Sequence, residues 1–274
     1  MNNIGIIAGG GSLPIAIGRN LIKKKFRVFF FVIEEFFNIN NYKGLDVTII
    51  NLKSAKKIIG SLKAKNINSI IMAGNINRPS ITDLSFDFQT FKLAKSLLLN
   101  KTGDNSLLIS IKKYFMDNGF EYFDWKEHCL ELFAKYDDLT QLKPSKKARE
   151  NLKKALSIFK FFGEIDVGQS MIIQNQIVLG LEAVEGTDNL MIRCMDYKKS
   201  GDKGILVKFS KYNQSNILDI PTIGEKTIRL LKDCNYEGVY LEKNSCLIID
   251  KEKTIDLANQ YKIFISTCNK IEQK

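Results

Sequence analysis

Residues 4–14 read IGIIAGGGSLP, and this stretch decides the fold of the first half of the chain. The apolar run 4–8 is typical of a buried strand, and the three glycines that follow predict a turn. Pro14 can begin a helix, because the first residues of a helix have no intrahelical N–H partner to lose. We expect this helix to run to about Lys24. A strand, a glycine-rich turn and a helix in this order are the layout of a phosphate-binding turn.

Strand-like and helix-like stretches continue to alternate beyond this turn. The sequence predicts further strands over 27–33 and 68–73, and helices over 54–64, 86–99 and 104–118. Strands that alternate with helices favour a parallel sheet with helices on its faces. The first half is therefore predicted to be a Rossmann-like domain.

The pattern changes near residue 130. Two strands, 167–173 and 177–183, flank a tight turn and predict a hairpin. Thr222 and Glu225 have the spacing of a capping box, so we predict a helix that starts at Thr222. The chain as a whole is predicted to be an α/β protein in three segments: an N-terminal Rossmann-like parallel-sheet domain over 1–132, a linker over 133–144 and a C-terminal mixed α/β catalytic domain over 145–274.

The composition narrows the class of protein. The chain has 274 residues and a formal net charge of +11, which favours anionic partners. Its lysines are scattered and no nucleic-acid-binding motif is present, so we expect no nucleic-acid partner. A single histidine, His128, argues against a zinc site and excludes a calcineurin-like phosphoesterase centre, which needs several histidines. Five cysteines without a leader segment favour free thiols, and we predict a cytoplasmic protein.

The glycine turn leaves two interpretations open. Gly9 and Gly11 fit the start of a dinucleotide-binding fingerprint, and Glu34 follows at the expected distance. Pro14, however, stands where the third glycine of that fingerprint would be. The turn either binds a phosphate or nucleotide or only closes a strand–helix unit, and a nicotinamide-dependent oxidoreductase is the alternative function. The candidate ligand-binding residues in this turn are Gly10, Gly11 and Ser12.

Acidic residues gather at predicted strand ends and helix starts in the second half. They are Asp166, Glu182, Glu185, Asp188 and Asp219. Mg²⁺ takes oxygen ligands and keeps several waters, so two or three converging carboxylates would suffice to hold one ion. Nearby Arg193, Lys208 and Lys211 are candidates to hold phosphate oxygens. The alternative is that Asp188 only stabilises a helix N-terminus and that Glu182 and Glu185 are ordinary solvated residues.

Several motifs occur together and in order. They are IIAGGGSLP at 6–14, DVGQS at 166–170, EAVEGTD at 182–188, VK at 207–208 and DIPTIG at 219–224. With these motifs the chain resembles the LpxI type of UDP-2,3-diacylglucosamine diphosphatase, a family of the lipid A pathway of Gram-negative bacteria. The resemblance runs over nearly the whole chain. It implies hydrolysis of a UDP-diacylglucosamine substrate to UMP and the diacylglucosamine 1-phosphate, dependence on Mg²⁺, two domains around the substrate, and a homodimer.

Residue roles follow from the same resemblance. The aspartate of DIPTIG is implied to be catalytic, and the acids of EAVEGTD are implied to lie at the metal or phosphate site. We assign catalysis to Asp219, Glu185 and Asp188, and metal binding to Asp219, Glu182 and Asp188. The expected substrate-binding residues are Gly10, Gly11, Ser12, Gly74, Gln169, Thr187, Arg193, Lys208 and Thr222.

The acylated substrate also predicts a peripheral contact with the inner membrane. The stretch 143–154 carries six basic residues against one acid, Glu150. It forms either a solvated helix face or a surface for anionic headgroups.

Overall fold

The computed structural model describes residues 3–52, 54–74, 104–162, 168–210 and 220–269. The chain divides into two compact units, Met1–Leu130 and Glu131–Lys274. The helix predicted over 86–99 lies outside the described residues, and so do Asp166, Lys211 and Asp219.

The first unit is built on a five-stranded parallel sheet. Its strands are β1 Asn3–Ala8, β2 Arg27–Ile33, β3 Val47–Ile50, β4 Ser69–Ala73 and β5 Glu121–Tyr122. They lie in the order β3-β2-β1-β4-β5 and all pair in parallel. The helices are α1 Leu13–Lys23, α2 Ala55–Ala64 and α3 Asp104–Asp117, and short 3-10 turns cover Glu34–Phe36 and Lys126–His128. A further 3-10 turn, Leu130–Leu132, spans the division between the units.

The predicted parallel sheet is confirmed, and burial explains it. Nearly every residue of β1, β2 and β4 is buried. Continuous apolar runs are typical of parallel strands that are covered on both faces. The sequence did not predict β3 and β5, which are 4 and 2 residues long and partly exposed. Such short edge strands give no distinct hydrophobic pattern.

The glycine turn packs against the end of β4. The strand order reverses beside β1, so the carboxyl end of β1 is the switch point of the sheet. The Gly9 N–H donates to the Ala73 carbonyl at 2.9 Å. Gly74 has a φ of +92°, and a Cβ atom there would lie 2.6 Å from the Gly10 carbonyl oxygen. Glycine at position 74 therefore allows the turn and the end of β4 to approach this closely.

The second unit contains a mixed five-stranded sheet. Its strands are β6 Ser170–Gln174, β7 Ile177–Leu181, β8 Ile205–Lys208, β10 Gly238–Glu242 and β12 Phe264–Cys268, while β9 Thr222–Ile223 and β11 Leu247–Ile248 form a small parallel sheet. The order is β12-β10-β8-β6-β7, in which β8, β10 and β12 are parallel and β6 is antiparallel to both of its neighbours. The helices are α4 Lys146–Phe162, α5 Gly186–Met195, α6 Glu225–Asp233 and α7 Lys251–Gln260.

Helices cover both faces of this sheet. On one face α4 packs with the ring centroid of Phe159 at 4.9 Å from that of Phe209. Buried residues of α5, α6 and α7 form the core on the other face. Residues near 131–140 also belong to this unit, because the Ala134 N–H donates to the Cys246 carbonyl at 2.9 Å.

Strand direction brings several strand ends together. β7, β8 and β10 run in one direction, and β6 runs in the opposite direction. The carboxyl ends of β7, β8 and β10 and the start of β6 therefore lie at one edge of the sheet, which we call the carboxyl edge. Ligands of open α/β sheets commonly bind outside such an edge.

The helix predicted to start at Thr222 begins later. Thr222 and Ile223 form β9, and α6 begins at Glu225 with Gly224 as its N-cap. Pairing with β11 holds β9, and the N–H of Ile249, directly after β11, donates to the Ile223 carbonyl at 2.9 Å. Ile223 is also buried in the core. Strand pairing and burial thus override the capping-box spacing, so that part of the prediction is wrong.

Gly74→Ala is expected to destabilise the first unit by about 3 kcal/mol, because the new Cβ would meet main-chain atoms in a backbone with positive φ. Gly119→Ala is the matched control. Its φ is +89°, but nothing lies within 4 Å of the added Cβ. Only the conformational penalty of about 1 kcal/mol is expected there.

Trp125 provides the measurement. It is the single tryptophan of the chain, is 2% exposed and lies in the first unit, so its fluorescence during urea unfolding follows that unit. Equal losses in the two variants would contradict the close approach at Gly74.

Candidate active site

Polar residues collect at the carboxyl edge of the second sheet. They come from the start of β6, the end of β7, the end of β8 and the first turn of α5. We call this group the strand-end cluster, and its members are Gln169, Ser170, Glu182, Thr187 and Lys208.

A buried lysine lies at the centre of the strand-end cluster. Lys208 ends β8 and is 6% exposed. Its Nζ donates to Thr187 Oγ1 at 2.6 Å and to Ser170 Oγ at 3.3 Å. Thr187 Oγ1 in turn donates to Glu182 Oε1 at 2.9 Å, so a threonine hydroxyl links the ammonium group to a carboxylate.

The second oxygen of this carboxylate is also held. Glu182 Oε2 accepts the main-chain N–H of Gln169 at 3.1 Å. Burial acts to raise the pKa of Glu182, but the positive charge of Lys208 and hydrogen bonds from Ser170, Thr187 and Gln169 together lower that pKa below its ordinary value. Glu182 is therefore ionised at neutral pH and compensates the charge of Lys208.

Gly168 explains how the chain reaches the cluster. A Cβ atom at Gly168 would lie 2.0 Å from the carbonyl oxygen of Glu182. Glycine at this position allows the chain before β6 to pass directly against the end of β7. The Gln169 N–H can then reach the Glu182 side chain.

The other acids of the EAVEGTD motif are paired with cations. Glu185 Oε1 accepts two hydrogen bonds from Arg193, at 3.0 and 2.8 Å, and Glu185 Oε2 accepts the Ala183 N–H at 3.1 Å. The hydrogen bond from Arg193 is the main reason that the pKa of Glu185 is lowered. Asp188 pairs with Lys226 at 2.6 Å. These contacts fix the turn between β7 and α5.

The described acids do not by themselves form a magnesium site. Within the described ranges, no group of three histidine, cysteine, aspartate or glutamate side chains could hold a metal ion. Glu182, Glu185 and Asp188 each have a basic residue beside them. A nearby ammonium or guanidinium group repels a divalent cation, so these residues do not fit the group as they stand. Asp219, the remaining predicted ligand, lies outside the described residues.

The structure also places the other predicted binding residues. Gly10, Gly11, Ser12 and Gly74 lie together at the switch point of the first sheet, where Ser12 precedes α1 without a side-chain capping bond. Thr222 lies in β9, and its hydroxyl donates to the Ile220 carbonyl at 2.9 Å. It is not part of the strand-end cluster.

Ser170, Ser210 and Glu242 of the carboxyl edge were not singled out from the sequence, although Ser170 lies in the DVGQS motif. Glu242 ends β10, and its Oε2 accepts both the N–H and the hydroxyl of Ser210, at 2.7 and 2.6 Å. A glutamate directly after the apolar run 239–241 was a usable signal for Glu242. The distance along the chain between Ser210 and Glu242 concealed their contact.

Lys208→Met is expected to destabilise the second unit by about 3 kcal/mol, because Glu182 would keep its charge without the buried cation. The double variant Glu182→Gln/Lys208→Met should lose less, since it leaves no unpaired charge. Urea unfolding followed by circular dichroism at pH 7 measures both. Lys226→Met, which breaks the exposed pair with Asp188, is the control and should change stability by less than about 1 kcal/mol.

The pH dependence of the stability of these variants provides a second test. The lowered pKa of Glu182 means that its contribution to stability is complete above its ordinary pKa of about 4.3 and is lost as the pH falls through the folded value. Without Lys208, the charge of Glu182 costs stability only while the carboxylate is ionised, so the advantage of the double variant over Lys208→Met should shrink as the pH falls and the carboxylate takes up a proton. An advantage that is absent at pH 7 would contradict a charge pair at this position.

Comparisons with known proteins identify the family. The LpxI N-terminal domain model matches residues 3–132, and the LpxI C-terminal domain model matches residues 135–266. A relative from Caulobacter vibrioides, named UDP-2,3-diacylglucosamine pyrophosphatase LpxI, is 29% identical over 279 residues and is aligned over 97% of each chain.

Among solved structures, the crystal structure of an N-terminal ketoreductase from a macrolactin assembly line gives a TM-score of 0.23 at 13% identity, over 98% of this chain and 54% of that chain. A likeness this distant carries no argument for the fold or for the oxidoreductase alternative. The two domain models follow one another along nearly the whole chain and agree with the motifs around the strand-end cluster, and the chain belongs to the LpxI family.

Proposed function

We propose that this chain hydrolyses the diphosphate bond of UDP-2,3-diacylglucosamine to give UMP and 2,3-diacylglucosamine 1-phosphate, a reaction of lipid A biosynthesis. The observation that carries the proposal is the match of both LpxI domains, together with a full-length relative named as a pyrophosphatase for this compound. The protein is then a hydrolase that acts on a phosphoric anhydride bond.

The strand-end cluster suits an anionic diphosphate. Phosphoryl transfer needs positioning and charge compensation rather than a nucleophilic side chain. Lys208 supplies a positive charge that water screens little, because its side chain is buried. The start of α5 adds main-chain N–H groups and the positive end of the helix dipole. We assign Lys208 and the main-chain N–H of Thr187 to hold phosphate oxygens, because the Thr187 hydroxyl already donates to Glu182, while Gln169 and Ser170 shape the floor of the site.

The reaction itself is a displacement by water. A water oxygen bonds to one phosphorus and gives up a proton, the bond from that phosphorus to the bridging oxygen breaks, and the bridging oxygen leaves with the other phosphate. The resemblance to the family implies that Asp219 is catalytic, and we propose that it orients this water or binds the metal ion. We propose that Glu185 and Arg193 hold the turn after β7, and that Asp188 stabilises the start of α5; their direct participation stays a prediction.

Magnesium dependence and a homodimer are further parts of the proposal. Mg²⁺ often binds through one or two carboxylates together with substrate phosphates. Because the described acids form no cluster of three, we propose that the diphosphate itself supplies part of the ligand set. The dimer rests on the family resemblance, and sedimentation equilibrium should give twice the 31.2 kDa mass of the chain.

The purified protein is expected to release UMP from UDP-2,3-diacylglucosamine with added Mg²⁺, and to lose most of this activity in excess chelator. Asp219→Ala should remain folded and lose at least about 100-fold in kcat if Asp219 orients the water. Asp46→Ala, which removes an exposed ion pair with Lys65, is the control and should retain normal turnover. Failure of the wild-type protein to release UMP would refute the proposed function.

Helix α4 suits a peripheral contact with an anionic membrane. Its residues Lys146, Lys147, Arg149, Lys153 and Lys154 are all exposed. At about 100° per residue these side chains and the 73% exposed Phe161 share one arc of about 160°. A cluster of basic side chains on one face of a helix is typical of surfaces that bind anionic headgroups. Within the described residues no helix is long and apolar enough to cross a bilayer.

The position of α4 links this face to the site. Phe159 in its last turn packs on Phe209, which directly follows Lys208. The end of α4 that carries Phe161 therefore lies at the carboxyl edge. A membrane contact along α4 would bring a membrane-embedded substrate to this edge of the sheet.

The protein is expected to sediment with phosphatidylglycerol vesicles and not with phosphatidylcholine vesicles, and to be released by high salt. Lys153→Glu/Lys154→Glu should weaken sedimentation about tenfold or more, since each basic residue near the surface contributes about 1 kcal/mol. The matched control is Lys56→Glu/Lys57→Glu, which makes the same charge change at two exposed lysines of α2. Equal losses in the two double variants would contradict a specific role for α4.

A further inference from the structure

Two glutamates, one directly before β10 and one at its end, each accept the N–H and the hydroxyl of one serine. Glu242 Oε2 accepts the N–H of Ser210 at 2.7 Å and its hydroxyl at 2.6 Å. Glu237 Oε1 accepts the N–H of Ser145 at 2.8 Å, and Glu237 Oε2 accepts its hydroxyl at 3.0 Å. The two contacts are chemically alike but lie at opposite edges of the sheet.

The contact of Glu237 has a structural explanation. Ser145 directly precedes α4, and its hydroxyl accepts the N–H of Ala148 at 3.1 Å. The serine is therefore the N-cap of α4, and Glu237 orients it. Capping of this kind contributes about 1 kcal/mol to stability.

The contact of Glu242 lies instead beside the strand-end cluster. Ser210 is two residues beyond Lys208 and is nearly buried. The residue between them is also held, because the Phe209 N–H donates to the Gln169 carbonyl at 2.8 Å. The chain that leaves β8 is thus fixed from both sides, by β6 through Gln169 and by β10 through Glu242.

We propose that Glu242 is a positioning residue for the hydrolysis proposed above, on which this inference rests. Its carboxylate fixes Ser210 and with it the exit of β8, which sets the place of the Lys208 ammonium group relative to Thr187 and Ser170. An ionised acceptor makes this contact stronger than a neutral one would. A displacement of about 1 Å at a phosphate-binding group is enough to slow such a reaction by up to about 100-fold.

The test compares Glu242→Ala with Glu237→Ala for UMP release, at a temperature where circular dichroism finds both variants folded. Glu242→Ala should lower kcat about tenfold or more and change KM less than about threefold, because it misplaces Lys208 in the transition state. Glu237→Ala loses a contact of the same chemistry and should keep kcat within about twofold. Glu242→Gln should recover most of the rate, since an amide oxygen can still accept both hydrogen bonds.

Ser210→Ala, with Ser145→Ala as its control, provides a second pair if Glu242→Ala does not fold. Ser210→Ala removes the hydroxyl half of the contact and should lower kcat several-fold, whereas Ser145→Ala should not. Equal kcat within either pair would overturn the proposal and leave both contacts purely structural. A Glu242→Gln variant as slow as Glu242→Ala would overturn it too. The rate would then depend on the charge of Glu242 and not on its hydrogen bonds to Ser210. A wild-type protein without activity would refute the proposed function first, and this inference with it.

Discussion

A buried ammonium group needs a compensating charge, and in this protein that need organises the second unit. Lys208 is held by the hydroxyls of Thr187 and Ser170, and Glu182 supplies the negative charge. Desolvating a lysine costs several kcal/mol unless such partners are present. The partners come from β6, β7 and α5, so this one interaction fixes the relative positions of three elements. It also explains why Gly168 must lie directly against Glu182.

The need to compensate basic side chains also gives the acids of the EAVEGTD motif their roles. Glu182 compensates Lys208, Glu185 holds Arg193, and Asp188 holds Lys226. None of the three is left as a free carboxylate for a cation among the described residues. At the carboxyl edge, the main-chain N–H groups at the start of α5 lie beside the Lys208 ammonium group and can donate hydrogen bonds to an anionic ligand. A diphosphate is such a ligand, and its own oxygens can bring ligands for Mg²⁺.

Much of the fold could be predicted because long apolar runs mark the central strands. β1, β2 and β4 are nearly fully buried, and their hydrophobicity is visible in the sequence. Short edge strands such as β3 and β5 were missed, since their pattern depends on neighbours rather than on their own residues. The helix start at Thr222 was wrong because pairing with β11 decides that segment. Local spacing does not report contacts of this kind.

The sequence predicted most residues of the site but not the contacts between them. Gln169, Glu182, Thr187 and Lys208 were each singled out, and the structure brings them together. Their mutual pairing was not foreseen, because a sequence does not reveal that Lys208 is buried. Ser210 and Glu242 lie on different strands, so their contact was equally hidden.

The most direct test of this account is the rate of UMP release by folded Lys208→Met protein, compared with Lys198→Met. Lys198 is also a hydrogen-bonded lysine of the second unit, but its Nζ donates only to the carbonyls of Cys234 and Asn235 in the described contacts. A loss in kcat/KM of at least about 100-fold is expected for Lys208→Met, and a loss of less than about threefold for Lys198→Met. Normal turnover by Lys208→Met would contradict the assignment of the strand-end cluster as the catalytic site.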